Sequence, residues 1–447
     1  MNKPCSLGPT NHLLNVKDFG AVGDGATLDH DAFNAALTRA ASEGGSTVLV
    51  PPGRYLIGGT ARPGDGALTA INMLSDTALY LCPGADLIQV PNNLPISAVV
   101  VFKDGVFNAH IFGEGEIIGA APQGDQDPAG VGEHHGIVFS DCIDCTARGI
   151  TTRNHFGEGV LVGTGAAFGG TGLAINSRCF EMLSYENARQ GWAVVNAREG
   201  GVYDCVARDM LQVEDGGVSP GAGIDVEAPG TGLEATNFQI HGFQSFRNRI
   251  GATISTNPNA SSKGVSFADI DIRDCNNGFS VGFNNDDLTV DNVNIRESEF
   301  AGATLVDAPT GKSNICFGVV SGNQRGIVTL PQSGGITART GWRVSAKLID
   351  QNRVQGVFNQ QDDFGVSYTK FGQNGIQFPG IADIQSFGDG LDLFHNVHES
   401  QTDAYFFQST QTNVRRYYNT LATSIVGDAS VSPKFHEIIN DVLVSNV

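Results

Sequence analysis

An all-β solenoid, wound as a parallel β-helix and closed at its N-terminal end by one helix, is the fold this sequence predicts. Three observations predict it. Glycine followed by an apolar-x-apolar run recurs along the middle of the chain. Glycine supplies 58 of the 447 residues without a collagen period, which suits many short strands and tight turns. A single amphipathic helix pattern stands near the N-terminus.

The N-terminal element comes first. Asn15 to Phe19 reads as a strand and Gly20 to Gly25 as a Gly/Asp turn. Asp29 is placed to N-cap a helix. Ala32, Phe33, Ala36, Leu37 and Ala40 then follow the i, i+3, i+4 stripe, and Gly44-Gly45 ends it. Thr47 to Val50 is a strand, turned by Pro51-Pro52-Gly53. Residues 14–57 resemble the opening module of the pectate-lyase-like right-handed parallel β-helix superfamily, which includes polygalacturonases, mannuronan epimerases and phage tailspikes. Gly113-Glu-Gly-Glu-Ile-Ile-Gly119 resembles the Gly-rich turn found early in polygalacturonase-like members. The resemblance implies a right-handed coil whose helix covers strand edges left open at the end.

The repeat itself is legible without the family. Its glycines are Gly136, Gly159, Gly191, Gly223, Gly251, Gly278, Gly302 and Gly326, spaced 23, 32, 32, 28, 27, 24 and 24 residues apart. Each interval is one rung, and only stacked rungs bury a core. Asn187, Asn248, Asn276, Asn277 and Asn323 fall between strand runs, where left-handed corners are expected. The register weakens after Gly326. The expected organisation is a capping module over 1–60, the β-helix over 61–384, and a C-terminal cap or oligomerisation segment over 385–447.

Composition narrows function. There are 27 Lys and Arg against 47 Asp and Glu, a net charge of −20, which repels polyphosphate and excludes a nucleic-acid partner. No apolar run is long enough to span a membrane. The N-terminus shows no apolar signal segment, so the expected setting is cytoplasmic, exported by another route, or virion-associated. Eight cysteines are too dilute for a disulfide scaffold, and Cys142-x-x-Cys145 lacks a second ligand pair, so both read as small buried apolar residues.

Strand alternation sorts inward from outward residues. With each glycine as position zero, positions one and three are apolar and face inward. Position two then reads Val138, Leu161, Ala193, Asp225, Thr253, Ser280, Thr304, Val328. Position four carries Glu227. One rung alone puts carboxylates on this face, and it puts two there. Residues i and i+2 of a strand lie about 6.6 Å apart, near the lower edge of the roughly 6.5–9.5 Å that inverting glycosidases use. Low-polarity surroundings would raise one carboxyl's pKa and make it the acid. The pair follows a loop that lengthens its rung and carries Glu214 and Asp215.

Asn187-Ala-Arg-Gln-Gly-Trp192 followed by Gly223-Ile-Asp-Val-Glu227 resembles a paired signature of bacterial and phage β-helix proteins that act on polysaccharides. It implies a site of Arg189, Gln190, Asp225 and Glu227. Neither the polygalacturonase patches nor the epimerase Asp-Pro-His-Glu motif is present, so neither activity is implied.

The reading is therefore a polysaccharide-degrading enzyme, a glycoside hydrolase with Asp225 and Glu227 catalytic and with Arg189, Gln190, Glu214, Asp215 and His155 binding substrate. Two alternatives stay open. One is a lyase or C5-epimerase of a uronic-acid polymer, with a base drawn from the cluster His134-His135 and Asn154-His-Phe-Gly-Glu158. The other is a non-catalytic glycan-binding fibre. No cofactor is expected, although Asp204, Asp209, Glu214 and Asp215 could together offer oxygens to Ca²⁺. The expected partner is a poly- or oligosaccharide, and the C-terminus is compatible with a homotrimer.

Overall fold

The computed structural model describes residues 13–386, apart from 60–66, 126–128, 131, 165–167, 169, 212–216, 229, 231, 257–260, 283–284, 307–312, 331–341, 361–363, 373 and 375–383. Beyond 386 it describes short backbone strands between 392 and 443. Two compact units result, one of residues 1–228 with 233–239, the other of 229–232 with 240–447.

The first unit opens with the strand Leu13–Asn15 and the helix α1, His30–Ser42. The buried face of α1 is Ala32, Phe33, Ala36, Leu37 and Ala40, the stripe expected from the sequence. Asp29 does not cap it through its side chain. Its carboxylate instead accepts hydrogen bonds from the backbone N–H of Val22 (2.6 Å) and Gly23 (3.1 Å). Those amides belong to a glycine turn, and a buried carboxylate is a strong acceptor for them. Across the coil end, Asn34 of α1 donates to the Ala70 carbonyl (2.7 Å) and accepts from the Asn72 N–H (3.0 Å). One side-chain amide thus serves the exposed edge of strand Ala67–Asn72, which is how the helix protects that edge.

Above this cap the rungs are parallel throughout. The face that carries the candidate site is built from β1 (Ile96–Phe102), β2 (His134–Phe139), β3 (Val160–Val162), β4 (Trp192–Val194) and β5 (Ala222–Ala228). Their register stacks Val101, Val138, Leu161, Ala193 and Asp225 in one column. The position-three side chains fill the coil, as in the Phe102–Phe139 stack at 4.6 Å. Trp192, at position one, is fully buried.

The position-two column faces outward, but it is not wet. Ala98, Val101, Val138, Leu161 and Ala193 form a buried apolar cluster of their own beneath Phe168. The insertion after β3 supplies that phenylalanine, whose ring lies 6.1 Å from that of His135.

The corners also differ from expectation. Beside Asn187 and Asn248 the left-handed residues are the preceding ones, Glu186 (φ 54°) and Arg247 (φ 52°). Asn187, Asn248 and Asn323 are themselves fully buried and act through their amides. The Asn187 Oδ1 accepts from the His155 N–H (3.1 Å), and its Nδ2 donates to Ser184 Oγ (2.8 Å). A buried corner amide can satisfy backbone groups of the neighbouring rung, which a left-handed φ alone cannot.

The second unit is likewise wound from parallel strands, with Phe267, Phe279 and Phe317 packed edge-to-face inside. Asn323, Asn352 and Asn374 form an amide ladder, with Asn323 Nδ2 donating to Asn352 Oδ1 at 3.0 Å and Asn352 Nδ2 to Asn374 Oδ1 at 2.9 Å. Parallel pairing continues past 384: Ile384–Ser386 pairs with Tyr405–Phe407, and Thr420–Leu421 with Val442–Leu443. Cys142 and Cys145 are buried free thiols. Among the described residues, no helix is long and apolar enough to cross a membrane.

Candidate active site

Strand β5 carries Asp225 and Glu227 on the outward side of the coil. The apolar column ends at Asp225, which is 3% exposed. Its Oδ2 accepts from Gln190 Nε2 at 2.9 Å, while its Oδ1 meets no hydrogen-bond partner among the described residues. Burial pushes the Asp225 carboxyl well above the usual carboxylate range, and the charge of Glu227 adds to the effect. Because Oδ2 is already an acceptor for Gln190, the proton belongs on Oδ1.

Glu227 is more open, with a side chain 20% exposed. It pairs with Arg189, Nη2 to Oε1 at 3.3 Å. Burial raises its proton affinity too, and Arg189 offsets only part of that. The stem of Arg189 crosses Gly132, where a β-carbon would stand 2.8 Å from its Cδ. Gly132 has φ +88°, so the position suits glycine on two counts. The Arg189 Nε donates to the Ser219 carbonyl at 3.4 Å. The lengthened loop thus holds the arginine from above.

A third carboxylate completes the arrangement. Glu158 is fully buried and receives Arg189 Nη1 at 2.5 Å on Oε1. Its Oε2 faces His135 Nδ1 at 2.5 Å. On the other side of that ring, Nε2 faces Glu133 Oε2 at 3.5 Å. Burial opposes the charge on Glu158, but Arg189 and His135 outweigh it and bring its pKa down to about 2. Burial likewise opposes charge on His135, yet Glu158 and Glu133 raise it to about 9. The line Glu133–His135–Glu158–Arg189–Glu227 therefore alternates acidic and basic side chains, with Asp225 beside its end.

The structure brings Arg189, Gln190, Asp225 and Glu227 together. It does not bring His155 to them. That side chain lies inside the coil at 0% exposure, its Nε2 at 3.2 Å from the Ile117 carbonyl. Burial drives its pKa down to about 3. It occupies the corner position that asparagine holds one rung later, which explains the inward direction. Glu214 and Asp215 lie outside the described residues. Asp204 and Asp209 stand at left-handed corners, and Asp209 pairs with Arg208 at 2.6 Å. Among the described residues, no three or more His, Cys, Asp and Glu side chains converge to hold a metal ion.

Sequence reasoning missed the linking role of Glu158 and His135. A signal existed: the residue before each glycine reads His135, Glu158, Gln190 and then Ala222, a polar column that ends where the carboxylate pair begins.

With the geometry in hand, three comparisons bear on class. The family described as rhamnogalacturonase A/epimerase, pectate lyase-like, matches residues 13–66. The mannuronan C5-epimerase AlgE1 of Azotobacter vinelandii is 41% identical over 81 residues, 17% of this chain and 6% of that protein. Alginate lyase 7 of the same organism is 54% identical over 54 residues, 12% and 6% respectively. The chain spans a small fraction of the length of these relatives. Among solved structures, the tailspike protein of the Escherichia coli bacteriophage HK620, studied as a mutant in complex with a hexasaccharide, superposes with a TM-score of 0.55 at 13% identity. That superposition covers 95% of this chain and 78% of the tailspike. The fold is a parallel β-helix, and its N-terminal residues 13–66 are similar to the pectate-lyase-like family. The family match ends at residue 66, far along the sequence from the carboxylate rung.

Proposed function

We propose that the chain is a polysaccharide-processing enzyme whose reaction centre is the Asp225–Glu227 rung, and that it cleaves a glycosidic bond by hydrolysis. The observation that carries this reading is the pairing of a buried Asp225, whose carboxyl is pushed above the usual range, with a largely buried Glu227 held by Arg189. Asp225 donates the Oδ1 proton to the glycosidic oxygen as the C–O bond breaks. Glu227 takes a proton from the water whose oxygen bonds to the anomeric carbon. The strand spacing of about 6.6 Å leaves room for that water. Gln190 fixes the Asp225 carboxyl, and Arg189 fixes Glu227.

A second reading, a lyase or C5-epimerase acting on a uronic-acid polymer, is favoured by the N-terminal similarity to mannuronan epimerases and an alginate lyase. The local geometry supports it less. His134 is held at both nitrogens, by Asp125 (2.8 Å) and the Leu94 carbonyl (2.8 Å). His135 is an imidazolium between two glutamates, and His155 faces the coil interior. A proton-abstracting base would then have to be Glu227. Product analysis on neutral and uronate polysaccharides separates the readings. Hydrolysis releases saturated reducing ends. A lyase releases an ultraviolet-absorbing unsaturated sugar, an epimerase changes monomer composition without shortening the chain, and a glycan-binding fibre yields no product.

A further inference from the structure

We infer that Glu158 is a positioning residue: through its ion pair it shares the guanidinium of Arg189, so that the arginine orients Glu227 without exerting its full charge on the Asp225–Glu227 pair. The argument starts from the geometry. Arg189 is the sole cation paired with Glu227 among the described residues, with Nη2 on Glu227 at 3.3 Å and Nη1 on Glu158 at 2.5 Å. The closer partner is the fully buried one, where screening is least. An unshared guanidinium that close would pull a carboxylate pKa down by about 1–3 units. That would work against the proton on Asp225 that the proposed reaction uses.

Among the described residues the charged groups around the pair are few. Glu133 and His135 come from β2 and the residue before it, Glu158 from the turn into β3, Arg189 from the turn into β4, and Asp225 and Glu227 from β5. Glu158 adds negative charge to both members of the pair, and the proton affinities of both are raised. His135 limits this in the opposite sense, because its imidazolium claims the second oxygen of Glu158 at 2.5 Å. A residue two rungs before the acids thus biases their protonation while touching neither of them by hydrogen bond.

The test reads titration directly and so does not depend on knowing the sugar. The probe is carbon-13 NMR of the Asp and Glu carboxyls in the full chain, followed against pH, with Asp225 and Glu227 assigned by substitution. Glu158→Gln, which keeps shape and removes charge, is expected to lower both midpoints by about one unit or more. His135→Gln is expected to move them the other way. Unchanged midpoints in a folded Glu158→Gln protein overturn the inference, as does a downward shift in His135→Gln. If Glu158→Gln fails to fold, His135→Gln alone decides by its sign.

The catalytic arm rests on the proposed function. There the alkaline limb of kcat against pH should shift down in Glu158→Gln and up in His135→Gln. Shifted midpoints without any polysaccharide turnover in the wild-type chain would sink the proposed function and leave this inference standing.

Discussion

Arg189→Met is expected to cost about 3 kcal/mol of folding stability at pH 6, although the side chain lies at the surface end of the site. The reason is the group left behind. Glu158 has no exposure, and Arg189 is the first of the cations that keep it ionised. Methionine restores most of the stem's packing over Gly132, so the loss reports charge rather than a cavity. His135 remains beside Glu158, which keeps the cost at the lower end of what an orphaned buried charge brings. The pH dependence gives the sign. Glu158 has its pKa lowered in the fold, from 4.5 to about 2. Its contribution is present above the unfolded value and lost as pH falls through the folded one. In the variant Glu158 takes its proton at higher pH, so the deficit against wild type narrows on acidification. Urea unfolding from pH 4 to 7 checks both statements. A loss below about 1 kcal/mol at pH 6 would mean that Glu158 is not held by Arg189 in solution.

Asp225→Asn is expected to lower turnover by about 10³-fold while glycan binding persists. Asparagine retains the hydrogen bond from Gln190 and the shape of the site but has no proton to deliver. The same change is expected to stabilise the protein at pH 8 by about 1 kcal/mol or more. Here the sign runs opposite to Glu158. The folded pKa of Asp225 is raised, so the native state holds a proton that the unfolded chain releases above 3.8. Stability is therefore lost as pH climbs from that value toward the folded midpoint, and asparagine abolishes the loss. His135 works in the same direction. Its folded pKa is about 9 against 6.5, so its contribution is complete below 6.5 and gone above 9. A melting-temperature series from pH 5 to 9 should show the wild type falling toward alkaline pH more steeply than Asp225→Asn. A variant that turns over at more than a tenth of the wild-type rate, or that melts below wild type at pH 8, would contradict the assignment.

How much of this was readable beforehand follows from how local each feature is. The helix stripe from Ala32 to Ala40 and the inward–outward alternation are patterns within one element, and both stand in the structure. So does the isolation of Asp225 and Glu227 in their column, because register follows from the glycine repeat. Exposure was not local. The ridge of Val138, Leu161 and Ala193 is covered by Phe168, and no periodicity announces that an insertion will fold back on its own rung. Arg189 reaches Glu158 and Glu227 across 31 and 38 residues, through rungs of unequal length. Asp29 and the corner asparagines show a further limit. Residue type predicted a backbone role for each, whereas burial gave their side chains stronger hydrogen-bonding partners.

The central claim is that chemistry happens at the Asp225–Glu227 rung, and its most direct test is a crystal structure of Glu227→Gln with bound oligosaccharide. The account predicts a sugar unit against β4 and β5, its glycosidic oxygen within hydrogen-bonding distance of Asp225 Oδ1. Sugar ordered on another face, with Asp225 Oδ1 still unengaged, would contradict it.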